Sequence, residues 1–302
     1  ESARPDHQQL ARKIVDEVLP HTGKAIRLGI TGVPGVGKST FIESLGMLLV
    51  QSGHRVAVLA VDPSSSRSGG SVMADKTRME KLAVEENAFI RPSPSGGTLG
   101  GVARKTRETM MVCEAAGFNV IIVETVGVGQ SETTVASMVD FFLVLMLAGA
   151  GDELQGIKRG VLELADALAI NKADGDNIEK AQKAAKIYTT ALHMLQPASP
   201  NWDPPVLTCS ALEMTGIAEI WQMVLKFHKQ FTRSGELAHK RQKQALDWLW
   251  SMVEDELKQR FYNNPDIKQK LDQITRAVAR GETAPTLAAD KLLFFLDNQR
   301  SV

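Results

Sequence analysis

The eight residues from Gly32 to Ser39 constrain this chain more than any other segment. They read G-V-P-G-V-G-K-S and match the pattern G-x-x-x-x-G-K-[ST] at every position. An apolar run precedes them, and a segment of helical period follows from Lys38. Strand, loop and helix in this order direct backbone N–H groups and the positive end of a helix dipole at one point, where a di- or triphosphate binds. We therefore expect a nucleotide-binding loop.

The residues of this phosphate loop (32–39) have separate expected roles. Lys38 is expected to reach the β- and γ-phosphates, and Ser39 to bind Mg²⁺. A chance match is the alternative, and the flanking strand and helix argue against it. The backbone groups expected around the phosphates belong to Gly35, Val36, Gly37, Lys38, Ser39 and Thr40.

Composition excludes several classes of protein. The 35 basic and 35 acidic residues of this 302-residue chain balance, so nothing in its charge favours a nucleic-acid or membrane partner. The longest apolar run, 141–150, is about half of a membrane span. Cys113 and Cys209 lack C-x-x-C spacing, which fits a reducing, cytoplasmic location. Because the chain opens at Glu1 and not at Met, we expect that a preceding segment is missing.

The chain alternates strand and helix signals through its first two thirds, which predicts a doubly wound, mostly parallel α/β sheet. Ahead of this region, Leu10, Ile14 and Val18 lie four residues apart and predict a packing helix that Pro20 ends. We expect an N-terminal helical extension at 1–24 and the sheet domain at 25–235. Strands are expected at 27–31, 55–61, 88–91, 119–123, 141–147, 165–170 and 206–209.

The last quarter of the chain has a different character. Helical stretches are expected at 217–231, 236–262, 265–280 and 286–298, without a strand signal between them. An apolar stripe on the longest of them consists of Trp248, Met252, Leu257 and Phe261. Residues 236–302 therefore form an expected helical arm, which either caps the sheet or makes a subunit interface.

Two segments behind the phosphate loop predict a guanine site. Asn171, Lys172 and Asp174 fit the N-K-x-D pattern, in which the Asp carboxylate accepts from N1–H and the 2-amino group of guanine. Adenine offers no donor at either position, and a buried acceptor left unpaired costs about 1–3 kcal/mol. Helix capping is the alternative role for these residues. The S-A-L loop, which follows a strand and is expected on the far side of the base, consists of Ser210, Ala211 and Leu212.

Oxygen ligands are expected around Mg²⁺. The candidates are Ser39, Asp62, Asp75 and Glu124, with Asp62 and Glu124 expected at the ends of strands beside the phosphate loop. Asp75 is expected to be a ligand in one nucleotide state only. The alternative for Asp75 and Arg78 is an ordinary solvated helix start.

The segment after Val123 departs from the common GTPase pattern D-x-x-G. This chain has Glu124-Thr125-Val126-Gly127, so Gly127 offers an N–H to a γ-phosphate but no Gln directly follows it. Gln130 is the hypothesis for the group that positions water. Together with the glycine-rich residues 148–156, residues 125–130 predict segments that change with the nucleotide.

Taken together, these motifs resemble those of the MeaB/ArgK family of P-loop GTPases, which includes the methylmalonic aciduria type A protein. The remaining motifs that carry the resemblance are V-D-P-S-S-S at 61–66, D-K-T-R-M at 75–79 and A-G-A-G-D-E-L-Q-G-I-K at 148–158. The resemblance covers essentially the whole chain. It implies a homodimer, built with the C-terminal arm, that binds GTP or GDP with Mg²⁺ and hydrolyses GTP slowly. The implied partner is adenosylcobalamin-dependent methylmalonyl-CoA mutase, whose cofactor loading the family gates and which it protects from inactivation.

The resemblance also assigns individual residues. Lys38, Ser39, Asp62, Asp75 and Glu124 match the family's phosphate and Mg²⁺ positions, and Asp174 matches the base reader. Asp152 and Lys158 fall in a third switch loop that couples nucleotide state to the mutase. The candidate catalytic residues are Lys38, Arg78, Glu124 and Lys158.

Two other functions remain open for such a chain. One is an ATP-using kinase for periplasmic amino-acid-binding transport proteins, against which Asp174 argues. The other is a metal insertase, which needs soft or imidazole ligands. The six histidines of this chain are scattered without a nearby cysteine, which argues against an insertase.

Overall fold

The structure is a computed structural model that describes residues 4–61, 79–92, 99–125, 131–149, 159–195 and 199–297. The chain divides into two compact units, Glu1–Gln244 and Ala245–Val302. The division predicted at residues 24 and 235 stays a prediction.

The larger unit is built on one seven-stranded sheet in which every pair of neighbours is parallel. The strand order is β3-β2-β4-β1-β5-β6-β7, so β1 lies at the centre between β4 and β5. The predicted α/β class with a doubly wound sheet is confirmed. The strands are β1 (Ile26–Gly32), β2 (Val56–Val61), β3 (Ala88–Arg91), β4 (Val120–Thr125), β5 (Phe141–Leu147), β6 (Ala167–Asn171) and β7 (Val206–Thr208).

Helices cover both faces of this sheet. The helices of the larger unit are α1 (Pro5–Val18), α2 (Lys38–Gln51), α3 (Leu99–Ala115), α4 (Ser131–Ala136), α5 (Arg159–Leu162), α6 (Ile178–His193), α7 (Ile217–Ser234) and the first turns of α8 (Glu236–Asn263). Of these, α1 contacts α3. Short 3₁₀ turns lie at Leu19–His21, Leu82–Val84 and Gly175–Asn177.

Alternate residues of the strands supply two separate apolar cores. In β5, Phe141, Leu143 and Leu145 join the core under α2 and α7. The intervening Phe142, Val144 and Met146 join the core under α3, α4 and α6. Because both faces are covered, every second residue of a strand is buried in a different layer, and the strands are apolar throughout.

The structure corrects three expectations. The first helix was expected to pack through Leu10, Ile14 and Val18, but the side chains of Leu10 and Ile14 are 57% and 42% exposed. The half-buried side chains of this helix are Ala11, Val15 and Val18, and the helix contacts α3. The short helices α4 and α5 were not predicted. Finally, Asp62 was expected at the end of a strand beside the phosphate loop, and β4 separates that strand, β2, from β1.

The smaller unit contains the rest of α8 together with α9 (Pro265–Ala279) and α10 (Pro285–Asp297). The buried Asn264 caps α9, accepting from the N–H groups of Asp266 at 2.9 Å and Ile267 at 3.4 Å. Its side-chain amide donates to the Phe295 carbonyl at 3.2 Å, which joins the start of α9 to α10. Of the apolar stripe expected on α8, Leu257 is exposed.

Across the described residues, none of the helices combines the length and the hydropathy that spanning a membrane requires.

Candidate functional site

The phosphate loop connects the central strand to α2 in the predicted order. Gly35 and Gly37 have φ angles of 77° and 90°, in the left-handed region that favours glycine. Gly37 is the N-cap residue of α2, and Lys38 begins the helix. The Lys38 Nζ donates to the Gly32 carbonyl at 2.8 Å, so the lysine side chain folds back along the loop. This geometry places a cation and the N-terminus of a helix at the same edge of the sheet.

Gly32 is required by close packing against the neighbouring strand. A Cβ added at this position would lie 2.5 Å from the Leu145 carbonyl oxygen, which belongs to the backbone of β5. Since a strand backbone cannot move away cheaply, only glycine fits where the loop begins.

Asn171 joins the phosphate loop to the two segments predicted to read the base. It ends β6 and is almost fully buried. Its Nδ2 donates to the Val36 carbonyl at 2.8 Å, and its Oδ1 accepts from the Ala211 N–H at 3.1 Å. The N–H of Ala173 donates to the Cys209 carbonyl at 2.9 Å. The structure therefore brings the phosphate loop, the N-K-x-D residues and the S-A-L loop together.

Asp174 is held by the S-A-L loop. The Ser210 Oγ donates to Asp174 Oδ2 at 2.5 Å, and the same hydroxyl accepts from the Glu213 N–H at 3.1 Å. Asp174 precedes the 3₁₀ turn Gly175–Asn177, but its side chain makes no capping hydrogen bond there. Helix capping, the alternative role, is therefore not what this carboxylate does. The side chain of Leu212 is 81% exposed, so this residue contributes no buried anchor.

Lys172 has an unusual backbone conformation beside the same site. Its φ is 60°, in the left-handed region, and the Asn177 Nδ2 donates to its carbonyl at 2.6 Å. A Cβ added at Gly37 would lie 3.9 Å from Lys172 Cε and 3.0 Å from Asn171 Nδ2. The Lys172 side chain thus runs along the phosphate loop.

Two of the four predicted Mg²⁺ ligands are described, and both suit a hard cation. Ser39 is half-buried in the first turn of α2. Glu124 is buried in β4, paired in register with Ile30 of the phosphate-loop strand. Just beyond it, the hydroxyls of Thr125 and Thr31 lie 2.7 Å apart and join β4 to β1. A carboxylate and a hydroxyl at one sheet edge match the oxygen ligands that Mg²⁺ prefers.

The remaining predicted site residues lie outside the described part of the chain. Their roles stay predictions, although the strands that precede most of them end at the same edge as the phosphate loop. These residues are Asp62, Asp75, Arg78, Gly127, Gln130, Asp152 and Lys158.

Two residues of the site were not anticipated. The Ser44 Oγ donates to the Ala211 carbonyl at 2.6 Å, and Cys209 Sγ lies 3.6 Å from Asn171 Oδ1. Burial raises the pKa of the Cys209 thiol to about 12, so it stays protonated and can donate at neutral pH. Neither residue belongs to a motif, and no local sequence signal marks them. Within the described residues, His, Cys, Asp and Glu side chains form no group of three that could hold a metal ion.

Comparison with known families agrees with this geometry. Residues 1–266 match the family model described as methylmalonyl Co-A mutase-associated GTPase MeaB. The chain belongs to the MeaB family. This membership confirms the predicted resemblance, and it implies that the chain is a P-loop GTPase that binds guanine nucleotides.

Individual members of the family are similar over nearly the whole chain. A putative GTPase of Caulobacter vibrioides is 57% identical, and the match covers 97% of this chain and 90% of the relative. GTPase ArgK of Escherichia coli is 50% identical over 99% of this chain and 90% of its own length. The mitochondrial methylmalonic aciduria type A homolog of Mus musculus is 46% identical over 97% of this chain and 73% of its own.

Solved structures support the same fold. A crystal structure of a LAO/AO transport system kinase is 44% identical, with a TM-score of 0.79 over 98% of this chain and 90% of that one. HypB from Helicobacter pylori in complex with nickel is 17% identical, with a TM-score of 0.52 over 74% of this chain and 94% of that one, and shares the fold alone.

Proposed function

We propose that this MeaB-family GTPase serves an adenosylcobalamin-dependent methylmalonyl-CoA mutase, gating its cofactor loading and protecting it from inactivation. The observation that carries the proposal is the match of residues 1–266 to a family described as mutase-associated. The similarity to methylmalonic aciduria type A homologs supports it. We further propose a cytoplasmic homodimer built with the helical arm at 236–302.

We propose a guanine-nucleotide site at the sheet edge that carries the phosphate loop, Asn171 and the S-A-L loop. In the proposed complex, the N–H groups of residues 35–40 and the Lys38 ammonium bind the phosphates. Asp174, oriented by Ser210, accepts from N1–H and the 2-amino group of guanine. Ser39 and Glu124, with Asp62 and Asp75, would hold Mg²⁺, which when bound neutralises charge on the β- and γ-phosphates.

We propose that GTP hydrolysis is slow until a partner orders the segments around the γ-phosphate. The support is the sequence Glu124-Thr125-Val126-Gly127, which no Gln directly follows. Gly127 and Gln130 are the proposed contacts with the γ-phosphate and the attacking water. Arg78 and Lys158 are proposed to offset charge in the transition state, and Asp152 to belong to the mutase-responsive switch. Ordering of such loops by a partner raises the rate without adding new chemistry.

The deciding experiment measures GTP turnover with and without purified methylmalonyl-CoA mutase. We expect the mutase to co-elute with the protein in size-exclusion chromatography and to accelerate turnover several-fold. Lys38→Ala provides the control for contaminating hydrolases. An unchanged rate at saturating mutase, without co-elution, would remove the mutase from the proposal.

A kinase function is the second candidate, favoured by the 44% identity to a LAO/AO transport system kinase. Such an enzyme would use ATP, whereas adenine has no donor for the Asp174 carboxylate. Competition between GTP and ATP separates the two functions. Equal affinities, together with transfer of labelled γ-phosphate to an amino-acid-binding protein, would favour the kinase and refute the guanine assignment.

A further inference from the structure

Ser44 makes a buried contact across the nucleotide site that none of its sequence motifs requires. It lies in α2, the helix that begins at Lys38, and is 9% exposed. Serine within a helix commonly donates to a carbonyl of the preceding turn. Here the hydroxyl instead leaves the helix and donates to the Ala211 carbonyl of the S-A-L loop at 2.6 Å.

This contact is one of three hydrogen bonds in a continuous chain. Ser44 donates to the Ala211 carbonyl, the Ala211 N–H donates to Asn171 Oδ1, and Asn171 Nδ2 donates to the Val36 carbonyl. Val36 belongs to the phosphate loop, which continues into α2 and so returns to Ser44. All four residues are buried, and hydrogen bonds shielded from water in this way are electrostatically stronger than exposed ones.

Ser210 and Ala211, which are consecutive in the S-A-L loop, also connect this chain of hydrogen bonds to the carboxylate of Asp174. Ser210, adjacent to Ala211, is fully buried and donates to Asp174. The Ala211 carbonyl belongs to the peptide group after this residue, and the Ala211 N–H to the peptide group that joins it to Ser210. Because Ser210 and Ala211 are consecutive, a shift of Ala211 also moves the partner of Asp174. The exposed side chain of Leu212 cannot prevent such a shift. The Ser44 hydroxyl therefore holds one end of the segment that orients Asp174.

We propose that Ser44 is a positioning residue for base recognition, linking the phosphate-binding helix to the loop that orients Asp174. The inference rests on the base-reading role proposed for Asp174. Loss of the Ser44 hydroxyl leaves the buried Ala211 carbonyl without this donor, so the S-A-L loop shifts toward another donor or water. Affinity for the base then falls, while the phosphate-binding groups stay in place.

Ser44→Thr and Ser44→Val form a matched pair for the test, because they differ only in a hydroxyl against a methyl group. Isothermal titration calorimetry gives the Kd of a non-hydrolysable GTP analogue and of Mg²⁺-tripolyphosphate, which has no base. We expect Ser44→Val to bind the GTP analogue about fivefold to tenfold more weakly than Ser44→Thr, as for the loss of one buried hydrogen bond. Tripolyphosphate should bind both variants equally, and kcat at saturating GTP should agree within about twofold. Ser44→Ala, compared with the wild type, repeats the test without added bulk.

Two outcomes overturn the proposal. One is equal affinity of the Thr and Val variants for the GTP analogue. The other is an equal loss for the GTP analogue and tripolyphosphate, which would assign Ser44 to the structure of the phosphate loop. Titrations of the wild type with GTP and ATP analogues distinguish a failure of the role proposed for Asp174 from a failure of the role proposed for Ser44. Equal wild-type affinities refute the role of Asp174, whereas a GTP-selective wild type with indistinguishable variants refutes only the role of Ser44.

Discussion

The guanidinium of Arg241 pairs with the carboxylate of Asp140 through two parallel hydrogen bonds. Nε lies 2.8 Å from Oδ1, and Nη2 lies 2.7 Å from Oδ2. The Asp140 side chain is 1% exposed and that of Arg241 is 17% exposed. Asp140 also accepts from the Arg27 N–H at 2.9 Å, and Arg241 Nη2 donates to the Ala25 carbonyl at 2.6 Å. The pair thus fixes the start of α8 at the sheet edge opposite the nucleotide site.

Removing one member of this pair should destabilise the larger unit strongly. Arg241→Met leaves Asp140 buried without its partner cation, which costs about 3–5 kcal/mol of unfolding free energy. Urea unfolding measures the loss. The control is Arg104→Met, which breaks the more exposed pair with Glu108 and should cost about 0.5 kcal/mol or less. Similar losses for both variants would contradict the special role of the buried pair.

His228 should make stability depend on pH just below neutrality. Burial lowers the pKa of this half-buried side chain from 6.5, against the opposing effect of Asp140, and Arg241 lowers it further. The unfolded chain therefore binds more protons than the folded one as pH falls below 6.5, and stability is lost in that range. We expect His228→Gln to flatten the urea-unfolding free energy between about pH 5 and pH 7. Identical slopes for the two proteins would show that His228 titrates normally.

Gly32→Ala should disrupt the phosphate loop. The added Cβ would meet the Leu145 carbonyl at 2.5 Å, so β1 and β5 must separate locally. We expect a loss of about 1–3 kcal/mol of stability, as for other overpacked sites, and weaker nucleotide binding. Gly160→Ala is the control, since nothing lies within 4 Å of its Cβ and the residue is helical. That control should be neutral or slightly stabilising.

Asp174→Asn should change the preferred base. An amide that donates where the carboxylate accepted suits xanthine, which carries an oxygen in place of the 2-amino group of guanine. We expect GTP affinity to fall about 100-fold and xanthosine triphosphate to bind better than GTP. Asp176→Asn, in the exposed 3₁₀ turn nearby, is the matched control. Unaltered GTP affinity in the Asp174 variant would place the base reader elsewhere.

Lys38→Ala should abolish measurable GTP hydrolysis. The variant loses the cation that lies 2.8 Å from the Gly32 carbonyl and is proposed to contact the phosphates. A loss of one such charge-stabilising group lowers kcat by about 100-fold to 1,000-fold. Phosphate release is compared with that of Lys24→Ala, whose exposed lysine precedes β1 at the opposite edge. Substantial residual turnover in the Lys38 variant would assign the reaction to another group.

The sequence predicts best those parts of the molecule that depend on short-range patterns. The strands at 88–91 and 141–147 were predicted to the residue, because apolar runs mark them. Glu124 was predicted to follow its strand, yet β4 continues through it to Thr125. A charged residue ordinarily ends an apolar run in the sequence. The burial of Glu124 within the strand is therefore visible only in the three-dimensional structure.

Other features depend on partners far away in the chain. Helix α4 has six residues, which are too few to show the apolar period of a helix in the sequence. Burial of Ser131 and Val135 stabilises it against the rest of the domain. The packing face of α1 was predicted only in part: Val18 is half-buried, whereas Leu10 and Ile14 are exposed. Its neighbour, α3, begins much later in the sequence. Contacts such as Ser44 with Ala211 and Arg241 with Asp140 have no sequence signature at all.

The order of strands in the sheet has a consequence for synthesis of the chain. The phosphate-loop strand β1 pairs only with β4 and β5, so it has no partner until residues 120–147 have left the ribosome. The base-reading segments follow still later, at 171–174 and 210–212. Parallel pairings of this kind form slowly, because the entropy of closing a long loop is lost before the contacts between the strands form and offset that loss. A nascent chain therefore exposes the apolar side chains of β1 until β4 and β5 have been synthesised. Chaperones can bind the chain in that interval, when nucleotide cannot yet stabilise it.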